Sequence, residues 1–292
     1  MNSPSESPRF SMQAILRQTT ELPSIPVAAL RVVRLTDGSD ATAKSVAEAI
    51  SLDQSLAARV LRLANSAFFG LPRQVKSIQD AVVLLGYRTV RNIALVAGTY
   101  KWMKEPLPGY ELQPKDLLHH SMAVAVGGQM IAKKSGGDPD STFIAGLLAD
   151  IGKFALSQII DGKISLLVSL GLQAGMTFNE VEKKVIGHTH GDVSAHLCEH
   201  WNLPEEIVTG IRYHHNPSDS VKPTAIGDCI HIGDFLAMSV GCGIGGDGLL
   251  YQFDDEALRR RGLSAEDLDA LIDEFVIAYE RCEAIFEELH EK

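Results

Sequence analysis

Nine of the ten histidines fall between positions 119 and 231, as His119-His120, His188-x-His190, His196, His200, His214-His215 and His231. Two of these groups are doublets, and HHNP at the second ends a helix before Pro217. Imidazole nitrogens and carboxylate oxygens together make ligand sets suited to Fe, Mn, Zn or Ni. A carboxylate in the right company stands in FIAGLLADIGKFAL, residues 143–156, where Asp150 and Lys153 are the charged positions of an apolar helix. An unpartnered carboxylate inside a protein costs several kcal/mol, so Asp150 needs a partner or is itself a ligand. The partner is an ion, a histidine or Lys153. Taken singly, His196, His200 and His231 read as structural or exposed.

The elements that must position these groups are helices. SLDQSLAARVLRLANSAFFGLP repeats apolar residues at Leu56, Val60, Leu61, Leu63 and Ala64 and stops at Gly70 and Pro72. SIQDAVVLLG opens on Ser77 with Asp80 three residues later, like a capping box, and breaks at Gly86. The last segment begins at a Ser264 cap and carries the row Leu268, Leu271, Ile272, Phe275, Tyr279, Cys282 and Phe286, a helix that packs along one side. Alternating β-branched runs with hairpin turns are missing, and the expected fold class is all-α. EPLPGYELQPKD, residues 105–116, holds three prolines and a glycine and marks a boundary. GCGIGGDG, residues 241–248, follows no strand and lacks Gly-Lys-Ser/Thr; it reads as a flexible loop rather than a phosphate cradle. The expected organisation is a disordered lead at 1–14, helical lobes at 15–105 and 112–240, and the glycine-rich loop with a C-terminal helix at 241–292.

The bulk numbers narrow the function. With 45% apolar residues in 292, the chain is large enough for one big domain or two modest ones. No run approaches the roughly 18 uninterrupted apolar residues of a membrane span. Cys198, Cys229, Cys242 and Cys282 form no C-x-x-C pair, which suits buried thiols in a reducing, cytoplasmic setting. The net charge of −10 disfavours a general nucleic-acid binder. Residues 55–104 nevertheless hold eight bases against Asp80 alone, and residues 247–292 hold fourteen acids against five bases. Solvated helix faces explain such patches; the sharper reading is a docking face for an acidic partner or ligand, with Arg59 and Arg62 on one helix face and Arg88 and Arg91 further on.

LPSIP at 22–26, ISLDQSLAARVLRLANSAFFGLPRQVKSIQDAVVLLGYRTVRNIAL at 50–95, HSMAVA at 120–125 and FIAGLLADIGKFAL resemble the HDOD domain over about residues 15–240. HDOD domains are relatives of the HD metal-dependent phosphohydrolases and occur in bacterial signalling proteins. The resemblance implies an all-helical fold with an N-terminal lobe packed on an HD-like lobe. It equates His120 with the first histidine of the HD enzymes and Ala149-Asp150 with their His-Asp pair, the histidine being lost. Lys153 matches their motif lysine, His190 and His214-His215 their later histidines, and Asp234 their late aspartate.

By that correspondence Asp150 stands where active relatives bridge two metals. Ala149 removes a ligand of the first ion, leaving His120 and Asp234. The second set, Asp150, His190, His214 and His215, is complete and can hold one divalent ion. Cyclic diguanylate phosphodiesterase relatives follow the double histidine with an acid and Gly-Tyr-Pro; here the chain reads HHNPSDSVKP. The expectation is therefore a stand-alone signalling domain with a degenerate HD site, acting through protein partners. The alternatives are a metal-dependent phosphohydrolase acting on a nucleotide or phosphoester, with Lys153 as a catalytic candidate, and a nucleotide or nucleic-acid binder using the basic lobe.

Overall fold

The computed structural model describes residues 10–19, 25–37, 41–66, 69–71, 73–247 and 250–290, with side chains as far as Cys282. In chain order the helices are α1 (Met12–Gln18), α2 (Val27–Asp37), α3 (Ala43–Ser51), α4 (Gln54–Ala64), α5 (Ile78–Leu85), α6 (Tyr87–Met103), α7 (Asp116–Ser135) and α8 (Pro139–Leu148). They continue as α9 (Gly152–Ile160), α10 (Ile164–Ala174), α11 (Phe178–Val185), α12 (His190–His200), α13 (Glu205–Arg212), α14 (Ala225–Ser239), α15 (Asp255–Arg260) and α16 (Leu268–His290). Among the described residues the only extended pairing is the single bridge Leu107–Leu112. The fold is all-α.

The chain forms two compact units: α1 with Lys104–Leu268, and Pro23–Met103 with Asp269–Lys292. One division falls beside the proline-rich stretch, which itself belongs to the first unit. Tyr110 in that stretch is fully buried, and its neighbour Gly109 donates its N–H to Ser157 Oγ. The glycine-rich loop and α15 also belong to the first unit, whereas most of α16 groups with α2–α6.

In the second unit, side-chain caps fix where the helices begin. Asp53 accepts from Leu56 N at the start of α4, and Ser77 from Asp80 N at the start of α5. Their apolar stripes, Leu56, Val60 and Leu63 on α4 and Ile78, Ala81 and Val82 on α5, are buried with α6, which is enclosed from Val90 to Thr99. In α16 the buried residues Leu271, Phe275 and Cys282 follow the expected apolar row; Phe286 lies outside the described side chains.

The histidine-bearing unit is built on α7 packed against α14 and α8, with α12 against α9 and α13. α7 and α14 approach so closely that a Cβ on Gly233 would lie 2.4 Å from the backbone N of Gly128. That contact brings Asp234, the next residue on α14, towards α7 and its His120. The segment Pro139–Ile160 is apolar and long enough to cross a membrane by composition, but 83% of its apolar window is buried inside the fold. It is also not one helix. Ala149–Ile151 form a turn between α8 and α9, so Asp150 sits at a junction rather than in mid-helix.

Candidate metal centre

Six separate pieces of the first unit deliver the site. His120 comes from α7, Asp150 from the α8–α9 junction, Lys153 from α9 and Asp234 from α14. His190 is the first residue of α12, set there by a reciprocal cap in which Thr189 Oγ1 accepts from Asp192 N and Asp192 accepts from Thr189 N. His214 and His215 occupy the turn after α13. Each of these seven residues is buried.

Donor atoms of Asp150, His190, His214 and His215 all lie within 4.8 Å of one another. His190 Nε2 is 3.3 Å from Asp150 Oδ1 and 2.9 Å from His215 Nε2. Cis ligands about 2.1 Å from one ion are separated by about 3 Å, so these spacings suit a shared ion. The remaining ring nitrogens are already committed. His190 Nδ1 donates to Glu182 Oε2 at 2.8 Å, His215 Nδ1 faces Asp234 Oδ2 at 3.2 Å, and His214 Nδ1 donates to the Ile211 carbonyl at 2.7 Å. In neutral rings the Nε2 lone pairs of His190 and His215 therefore point at each other, which requires a proton or a cation between them. His214 Nε2 has no hydrogen-bond partner at all. An orphaned, buried lone pair beside a carboxylate and two further imidazoles is the chemistry of a metal site. The residues present fit a single divalent ion.

His120 and Asp234 adjoin this set. His120 Nε2 lies 3.2 Å from Asp150 Oδ2 and 3.1 Å from Asp234 Oδ1, while its Nδ1 donates to the Cys242 carbonyl at 2.9 Å. Asp234 thus touches His120 with one oxygen and His215 with the other, so it links the two halves of the site. Lys153 Nζ lies 3.2 Å from Asp150 Oδ1 and 2.9 Å from Asp247 Oδ2. Asp150 consequently has two of the partners the sequence left open, histidines and Lys153, and lies among the donors that the third, an ion, would need.

Burial and neighbouring charge set the protonation states. Burial pushes His214 down to about 4, and burial with the adjacent His214 holds His215 well below the ordinary imidazole value, so both are neutral ligands in form. For His190, burial lowers the pKa but the Glu182 carboxylate outweighs it and raises it. His120 is likewise lowered by burial, yet its contacts with Asp150 and Asp234 carry it to about 10. Burial raises Asp150, but Lys153 and the two histidines overcome it and hold this carboxyl well below the usual range.

Four residues, Glu182, Tyr110, Asp247 and Tyr251, escaped the sequence reading. Glu182 is fully buried and accepts from His190 N and Nδ1 through one oxygen and from the Tyr110 hydroxyl through the other. Its signal was an acid on the buried stripe of α11, beside Phe178 and Val181. Asp247 and Tyr251 lie on the glycine-rich segment and after it. That segment is not a free loop: a Cβ on Gly243, which has φ +60°, would lie 2.4 Å from the Asp116 carbonyl and 2.8 Å from His120 Cβ. Asp247 is buried against Lys153 and accepts from the Tyr251 hydroxyl, and the Tyr251 ring stacks on His215 at 4.0 Å.

The arginines of the second unit do not form one face. Arg88 is exposed and Arg59 and Arg62 are half-buried, but Arg91 is only 4% exposed. Arg91 lies on the enclosed stretch of α6, so its side chain is not available to a docking partner.

Comparison with known proteins agrees with the fold. An HDOD domain protein of unknown function from Geobacter sulfurreducens is 25% identical, covers 95% of this chain and 96% of its own, and superposes with a TM-score of 0.73. A protein from Shewanella amazonensis SB2B described as a candidate phosphohydrolase is 26% identical over 96% of this chain and all of its own (100%), with a TM-score of 0.71. An uncharacterized protein of Treponema pallidum (strain Nichols) is 23% identical over 205 residues, 70% of this chain, and the chain spans 39% of that relative's length. The family profile of the HDOD domain matches residues 22–217. With two thirds of its length under that profile and its helices in the same arrangement, the chain belongs to the HDOD family.

Proposed function

We propose that this protein is a regulatory HDOD protein that holds one divalent ion on Asp150, His190, His214 and His215 and acts through a protein partner. The observation that carries the ion is the convergence of these four buried donors within 4.8 Å, with His214 Nε2 unpartnered. Glu182 and Asp234 serve it from outside, each fixing the tautomer of a ligating imidazole. Four free cysteines support a cytoplasmic setting. A bound ion would supply Lewis acidity to any group that reached it.

Three features favour holding over turnover. Ala149 leaves the His120–Asp234 side short of a ligand. Lys153 is occupied by Asp150 and Asp247, so it is not free to orient a phosphate. The space among His120, Lys153, Asp247 and Gly243 is only ≈ 10 Å³, about what one water needs. For the partner, the basic stretch 55–104, with eight bases against Asp80 alone, suits an acidic surface, with Arg59, Arg62 and Arg88 as its contacts.

The second reading, a metal-dependent phosphohydrolase acting on a nucleotide or phosphoester, is favoured by the name of the Shewanella relative. One experiment separates the two: metal analysis of protein purified without added metal or chelating resin, then a phosphatase and phosphodiesterase screen. About one equivalent of metal without turnover supports the regulatory reading. Turnover that disappears in Asp150→Asn supports the hydrolase. Metal-free protein that takes up no ion on titration sinks both. Loss of partner binding in Arg59→Glu/Arg62→Glu with unchanged melting would support the docking face, and equal binding would remove it.

A further inference from the structure

A cavity of ≈ 360 Å³ opens beside the metal cluster, within the same unit, lined among others by Asp234, Phe235, Met238, Tyr251 and Phe253. Small-molecule sites run from about 300 to 1,000 Å³, so a compact ligand fits. The walls are aromatic. The Phe235 and Phe253 rings lie 4.6 Å apart, His231 stacks on Phe253 at 5.0 Å, and Tyr251 stacks on His215 at 4.0 Å.

The polar groups of the cavity are one-sided. Among the described residues neither Lys nor Arg lines it, whereas the Asp234 carboxylate does, together with the neutral amide of Gln252. Asp234 is 1% exposed, and its Oδ1 has no aligned hydrogen-bond donor although His120 Nε2 lies 3.1 Å away. Both nitrogens of His231 are in use: Nδ1 donates to the His214 carbonyl and Nε2 accepts from Asp254 N. The Tyr251 hydroxyl donates to Asp247 and the Ser239 hydroxyl to the Phe235 carbonyl. A phosphate ester entering here would find no cationic side chain to meet its charge. A cation would find ring faces, which attract positive charge through their quadrupoles, and a buried carboxylate whose oxygens keep lone pairs beyond those that face His120 and His215.

We infer that this cavity is a binding site for a small organic cation with a planar N–H-bearing head, of the amidine or guanidinium class. It goes beyond the metal centre and does not require an ion to be bound, because the aromatic faces and the Asp234 carboxylate belong to the protein itself. Such a site gives a regulatory protein a chemical input next to its metal ligands.

The test uses benzamidine as the cationic probe, with benzoate and phenyl phosphate as ring-bearing anions of similar size. Each is titrated calorimetrically into the full chain, once after dialysis against EDTA and once with an equivalent of Mn²⁺. Benzamidine is expected to bind in both states at least about tenfold more tightly than either anion. Met238→Trp, which fills the cavity, and Phe253→Leu, which removes a ring face, should each weaken it by about tenfold while melting stays cooperative. Lack of benzamidine binding at millimolar concentration, anions binding as well as the cation, or benzamidine binding that is unchanged in both folded variants would overturn the inference. Anion binding confined to the Mn²⁺-loaded protein, with no benzamidine binding, would also overturn it while supporting the metal centre. Benzamidine binding in protein that takes up no Mn²⁺ would uphold it and count against the metal reading instead.

Discussion

Replacing Lys153 with methionine tests the buried charge network directly. Lys153 Nζ pairs with both Asp150 and Asp247, at 3.2 and 2.9 Å, and all three side chains are no more than 7% exposed. Methionine keeps most of the volume and removes the charge, so the loss is electrostatic rather than a cavity. Removing one member of a buried ion pair costs about 3–5 kcal/mol, because the partner's charge stays behind uncompensated. An exposed pair would cost only about 0–1 kcal/mol. For a unit of this size the expected fall in Tm is on the order of 6–20 °C, at roughly 2–4 °C per kcal/mol. Adding Asp247→Asn should restore part of the loss, since the two sites share one interaction.

The pH dependence of this effect has a fixed sign. Asp150 is held below its ordinary pKa in the folded protein. Its contribution is therefore present above the unfolded carboxyl value, near 3.9, and is lost as pH falls through the lower folded value. Lys153 is raised, so its contribution is complete well below its unfolded value near 10.4 and is constant through neutrality. The gap between wild type and Lys153→Met should stay level from about pH 6 to 9 and narrow on acidification below about pH 5, where the stranded carboxylates can protonate. Thermal melts followed by circular dichroism across that range, on EDTA-treated protein, measure it. A loss below about 1 kcal/mol at pH 7 would refute the buried network.

Other consequences are equally direct. Glu182→Gln should weaken metal binding by about 10–100-fold in a chelator competition while the chain remains folded, because the outer carboxylate that orients His190 is gone; unchanged affinity would reduce Glu182 to a structural role. Ala149→His should raise the bound metal from about one equivalent to two on the His120–Asp234 side, and unchanged stoichiometry would show that the lost histidine is not what limits the second ion. Gly243→Ala should lower stability by roughly 1–3 kcal/mol, from a strained positive φ and contact with the Asp116 carbonyl; an unchanged Tm would mean that the segment yields freely.

The sequence alone determined the helical class, because caps such as Ser77 and apolar stripes such as Leu56, Val60 and Leu63 are local signals that need no tertiary partner. The clustered histidines and Asp150 in apolar company marked candidates for a ligand set, and the resemblance to the HDOD domain chose among them. Tertiary structure decided what depends on residues far apart in the chain. Glu182 and Asp247 are two acids among 37, and only the fold shows that one holds His190 and the other holds Lys153. The glycine run 241–248 reads as flexible because glycine permits flexibility, yet at Gly243 the same missing side chain lets the backbone lie against Asp116 and His120. The break at Ala149–Ile151 has no breaker residue, and Arg91 looks like its neighbours in charge, but whether a helix bends or an arginine is enclosed is fixed by what packs around it. Residue type carried the chemistry, and the close approach of distant segments assigned each group its partner.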